Sequence, residues 1–107
     1  MAMERVDGDK LLLAELAGMF LDDYPRLMRE LRDSTEARDY AVAERTAHTL
    51  KGRLAFFGLE KARDLALRLE MMGRQCEMTE APPVISDLDA VVQSALPEFR
   101  SLSAISG

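Results

Sequence analysis

The sequence predicts an all-α fold: an antiparallel four-helix bundle with an additional short N-terminal helix. Three observations carry this. Apolar residues recur in steps of three and four through most of the 107 residues. No stretch alternates in the two-residue rhythm of a strand. Asp, Gly and Pro interrupt the pattern at helix-length intervals.

Residues 1–7 read as a loose lead-in to a single domain over 1–107. Asp7 or Asp9 can cap the first helix, whose apolar face is Leu12, Leu16, Met19 and Phe20. Pro25 fits the first turn of a second helix capped by Asp22 or Asp23; alternatively it kinks one long helix. Leu27, Met28 and Leu31 carry the face on to Asp33-Ser34. After a polar connection from Glu36, Asp39 caps the next helix and Gly58 ends it. The following helix starts almost at once, with Leu59, Ala62, Leu65, Ala66, Leu69 and Met72 on one stripe, so the two are antiparallel neighbours. Residues 73–83 read as the longest loop, closed to a helix by Pro82-Pro83. The last helix carries Ile85, Leu88, Val92, Ala95, Phe99 and Leu102, and Pro97 is expected to kink it or end it early. The expected core is Leu50, Leu54, Phe57, Leu65, Leu69, Leu88 and Val92.

The centre of the chain is residues 47–58, which hold its only histidine. At about 100° per residue, Leu50, Leu54 and Phe57 fall opposite His48 and join Ala43 and Ala47 in a buried stripe. His48, Lys51, Gly52 and Ala55 stand at i, i+3, i+4 and i+7 and share the outward face. A glycine inside a helix costs about 1 kcal/mol relative to alanine, so Gly52 needs a compensating use: clearance for a partner beside the imidazole, or close packing against another helix. Glu44, one turn before His48, can accept from the ring or simply be solvated. Arg45 and Arg53 border the face and can meet an acidic partner surface.

The run His48-Thr49-Leu50-Lys51-Gly52, preceded by Ala47 and closed by Phe57-Gly58, resembles the H-x-L-K-G core of histidine-containing phosphotransfer (HPt) domains. Leu11-Leu12 through Phe20-Leu21, then Pro25 and Leu27, match that family's opening helices, and Leu69-Glu70 matches a Leu-Glu pair in the helix after the core. Two positions depart from the pattern: Arg53 stands where a small residue usually follows the glycine, and Phe56 is bulkier than usual. The resemblance implies a phosphocarrier without kinase activity of its own. His48 would take a phosphoryl group from the aspartate of a response-regulator receiver domain, which can be that of a hybrid histidine kinase, and pass it to another. Lys51 would partly neutralise the phosphoryl oxygens. The magnesium that such transfers use belongs to the receiver, so neither cofactor nor metal is expected here. The alternative is a helical adaptor with a silent histidine, which Arg53 and Phe56 would favour.

Composition narrows the field. With 19 acidic against 14 basic residues the net charge is -5, which argues against nucleic acid as a partner. One cysteine excludes an internal disulfide and fits a reducing compartment. No apolar run approaches the roughly 20 residues of a membrane span, so a cytoplasmic location is expected. A metal-dependent hydrolase fails for want of a second histidine to build paired Glu-x-x-His ligands. No Gly-rich nucleotide loop is present.

Overall fold

The computed structural model describes residues 10–104, and among these it contains four α-helices and no strand. They are α1 (Lys10–Glu36), α2 (Tyr40–Phe56), α3 (Glu60–Arg74) and α4 (Ala81–Ser103). Each packs on two neighbours: α1 on α2 and α4, and α3 on α2 and α4. The lead-in at residues 1–7 and the caps Asp7 and Asp9 lie outside the described residues.

The expected short N-terminal helix is not a separate element here. Its stretch, Leu12 to Phe20, is the first half of α1, which runs unbroken through Pro25. Pro97 likewise lies inside α4, which continues to Ser103. A proline in a helix frees the carbonyl four residues earlier, at a cost of ~3 kcal/mol. Here those carbonyls belong to Leu21 and Gln93, and both residues border one open groove between α1 and α4 that water can enter. Burial on either side of each proline offsets the cost: Phe20, Tyr24, Leu27 and Met28 in α1, and Leu96 and Phe99 in α4. Pro82 and Pro83 also stand differently from expectation. They occupy the first turn of α4, where the missing N–H groups would have no helical partner, so the connection from α3 shrinks to residues 75–80.

Asp39 caps α2 by accepting from the Val42 N–H at 3.3 Å. At the other end, Gly58 takes a φ of 75°. Its N–H bonds Ala55 O and the Leu59 N–H bonds Leu54 O, both at 3.0 Å, which is the Schellman closure. The same closure ends α1 and α3, with Arg38 and Cys76 in the left-handed position that glycine normally fills.

Leu50, Leu54, Leu69, Leu88 and Val92 are fully buried, as expected. Phe57 and Leu65 are only partly buried, at the edge of the core. Phe57 stacks edge-on against Phe99 at 4.7 Å, and Phe99 lies 4.7 Å from Phe20, so aromatic rings tie the end of α2 to α1 and α4. Tyr24 adds a polar tie, donating to Asp89 at 2.6 Å. These contacts fix α2 on the bundle with one face outward.

Candidate functional site: an anchored, exposed imidazole

That outward face carries His48, whose side chain is 66 % exposed. The residue beneath it is Glu70 of α3, a carboxylate only 4 % exposed. Glu70 Oε2 lies 2.9 Å from His48 Nδ1, and Lys51 Nζ forms an ion pair with Oε1 at 2.7 Å. An ionised carboxylate can only accept, so Nδ1 carries the proton and donates it. The neutral ring therefore keeps its lone pair on Nε2.

Burial pushes the Glu70 carboxyl up, but the hydrogen bonds and charges of Lys51 and His48 outweigh it and hold the group below the ordinary 4.5. A depressed carboxyl contributes stability above its unfolded value and loses it as pH falls through the folded one. Melting temperatures of wild type and Glu70→Gln between pH 3 and 6 check this. The wild-type advantage is expected to shrink steadily below about pH 4.5; two parallel curves would show that the carboxylate gains nothing from its partners.

The ring's partner is Glu70, and Glu44 takes neither of the two roles left open for it. Glu44 does not touch His48; its Oε2 accepts from Arg74 Nε at 3.0 Å. Glu44 is taken up by Arg74, and it is α3 that presents a carboxylate, Glu70, to the ring. A signal for Glu70 was present: it repeats in phase with Ala62 and Ala66 on the buried stripe of α3, where a carboxylate needs partners. Arg53 pairs its guanidinium with Asp23 of α1. Arg45 is exposed, and Ala55 is half-buried on the His48 face.

Gly52 is exposed, and a Cβ built there meets nothing within 4 Å. Of the two uses open for it, close helix packing is excluded by this space. The packing glycine is Gly73, which the sequence reading had assigned to a loop. A Cβ there would stand 2.9 Å from the Glu44 N and 3.0 Å from its Cα, so α3 touches the α2 backbone one turn before His48. Beside Gly52, an apolar groove is lined by Leu16, Met19, Phe20, Phe56 and Phe57. Among the described residues no group of His, Cys, Asp and Glu is arranged to hold a metal ion.

The bundle thus holds one imidazole by its Nδ1 and leaves most of the side chain exposed. The family model for the Hpt domain matches residues 15–100, and the chain belongs to that family. Among curated proteins, the phosphotransferase RcsD of Escherichia coli (strain K12) is 32% identical over 78 residues. That match covers 73% of this chain and 9% of RcsD. No solved structure gives a significant match. Among the described residues no helix is long and apolar enough to cross a membrane.

Proposed function

We propose that this protein is a phosphorelay intermediate that carries a phosphoryl group on His48 Nε2 between aspartates of response-regulator receiver domains. The observation that carries the proposal is the pairing of Nδ1 with buried Glu70 beneath an exposed ring. The Nε2 lone pair attacks the phosphorus of a receiver's aspartyl phosphate in line with the leaving oxygen. The N–P bond forms, the P–O bond breaks, and the carboxylate leaves with the electron pair. The proton stays on Nδ1 throughout, so the ring becomes positive and Glu70 offsets that charge. In the onward step a second aspartate attacks phosphorus and the pair returns to Nε2. No external acid or base is consumed in either direction.

Lys51 sits one turn beyond His48 and has three N–H donors. One serves Glu70, and the others remain to meet phosphoryl oxygens as a charge-assisted contact. Gly52 and Ala55 leave room for the receiver, and the groove at Leu16, Met19 and Phe56 gives it an apolar footing. Arg45 is the basic group placed to meet an acidic rim. The likeness to a phosphotransferase over most of this chain supports the same reading, and we place its action in the cytoplasm, where the exposed thiol of Cys76 stays reduced.

The direct test is incubation with a phosphorylated receiver domain, followed by chemical characterisation of the label. A label lost in acid and stable in base is expected, as for a phosphoramidate. No label from any receiver would leave a helical adaptor. Gly52 offers a second test. Gly52→Ala is expected to gain up to about 1 kcal/mol of stability and lose little transfer. Gly52→Leu is expected to fold normally and transfer at least tenfold more slowly, since the side chain fills the docking space. Thermal melts and transfer rates on the two variants check both; a Leu variant as fast as wild type would place the receiver elsewhere.

A further inference from the structure

Glu70 does not serve His48 alone. Oε2, the atom that accepts from the ring, also lies 3.2 Å from Arg74 Nη2. The same guanidinium donates through Nε to Glu44 Oε2 at 3.0 Å. Arg74 thus bridges a carboxylate of α2 and a carboxylate of α3. The helices approach closely there at the adjacent Gly73, where even a Cβ would stand 2.9 Å from the Glu44 N.

We propose that Arg74 and Glu44 are positioning residues that set the basicity of His48 through Glu70. The physical reason is competition for one oxygen. Each N–H that Oε2 accepts draws charge from it and weakens its hold on the other. Arg74 therefore makes Glu70 a weaker acceptor for Nδ1–H, and a weaker counter-charge for the positive ring. Glu44 acts in the opposite sense: it draws the guanidinium towards itself and leaves more of Oε2 to the imidazole. Glu44 thus acts on the ring at one remove. The inference takes its purpose from the phosphocarrier reading, but its test needs no phosphotransfer.

His48 is the sole histidine, so one imidazole signal in a 1H–15N spectrum reports its titration. Arg74→Gln is expected to raise the midpoint by about half a pH unit or more, and Glu44→Gln to lower it. Arg74→Lys keeps the charge but loses the planar fork that reaches both carboxylates, so it should resemble Arg74→Gln. In a Glu70→Gln background, Arg74→Gln should move the midpoint no further. Lys51 of α2, the remaining charged side chain paired with Glu70, is unchanged in every variant. Arg74 is 55 % exposed, so its variants should fold.

A plain field effect gives a different pattern: Arg74→Lys would match wild type, and Arg74→Gln would shift the midpoint equally with and without Glu70. Either of those results overturns the proposal, as does an unmoved midpoint in all three single variants. Should the expected titration pattern appear while no receiver labels His48, the coupling stands and the phosphocarrier reading is what has failed.

Discussion

His48→Gln is expected to abolish phosphoryl acceptance completely while leaving the fold in place. The ring supplies the nucleophile, and no other histidine can substitute for it. Structurally the residue contributes one hydrogen bond from an exposed position. Losing such a bond costs about 1 kcal/mol, and Glu70 keeps Lys51 and Arg74 as partners. Labelling by a phosphorylated receiver, beside circular dichroism and a thermal melt, reads both halves. Label retained at wild-type level in the variant would move the chemistry to another residue. Label lost together with helicity would mean that the imidazole is a structural group.

Gly73→Ala is expected to be the most damaging glycine-to-alanine change in the interior of the described helices. The added Cβ would sit 2.9 Å from the Glu44 N and 3.0 Å from its Cα. These are backbone atoms in the middle of a turn, so they cannot swing aside; α2 and α3 must separate. Overpacking of this kind costs ~1–3 kcal/mol, against a helix-propensity gain of at most about 1 kcal/mol. For a domain of this size a net loss of up to about 2 kcal/mol lowers Tm by as much as roughly 8–16 °C. The damage should also reach the site, because the helices that separate are those carrying His48 and Glu70. Phosphoryl acceptance is therefore expected to fall with stability. Gly52→Ala, the same change on the other side of the site, should shift Tm upwards. If both variants melt alike, the assignment of one glycine to packing and the other to access is wrong.

That pair of glycines shows what the sequence could and could not reveal. Gly52 was readable because it follows His48 by one turn, inside a helix whose cap at Asp39 and stop at Gly58 are both plain in the chain. The outward position of His48 followed from the same periodicity, since Ala47 and Leu50 lie on the buried side. Gly73 was hidden because a glycine followed by a double proline reads as loop chemistry. In the folded chain those prolines start α4, and only the approach of the Glu44 backbone explains the glycine. Pro25 and Pro97 left the sequence undecided between a break and a continuing helix, and the packing of Phe20, Tyr24, Leu96 and Phe99 keeps both helices continuous.

The anchor of the imidazole was the larger omission. Spacing along one helix nominates Glu44, because periodicity relates residues of the same element and says nothing of the neighbouring one. Glu70 and Arg74 come from α3, and the contact of Glu70 with His48 depends on how α3 rotates against α2. The phase of Glu70 on the buried stripe marks it as a residue needing partners, but names none of them. Arg53 shows the converse. It reads as a free cation at the edge of the site, and it is bound to Asp23 of a helix distant in sequence.

The central claim is that Glu70 holds Nδ1 so that Nε2 takes the phosphoryl group. The most direct measurement is a long-range 1H–15N spectrum of the protein after phosphorylation by a receiver domain. The lone imidazole makes the assignment unambiguous. Phosphorus bonded to Nε2, with the proton on Nδ1, is the expected result. Phosphorus on Nδ1 would contradict the account, because that nitrogen could not then donate to Glu70.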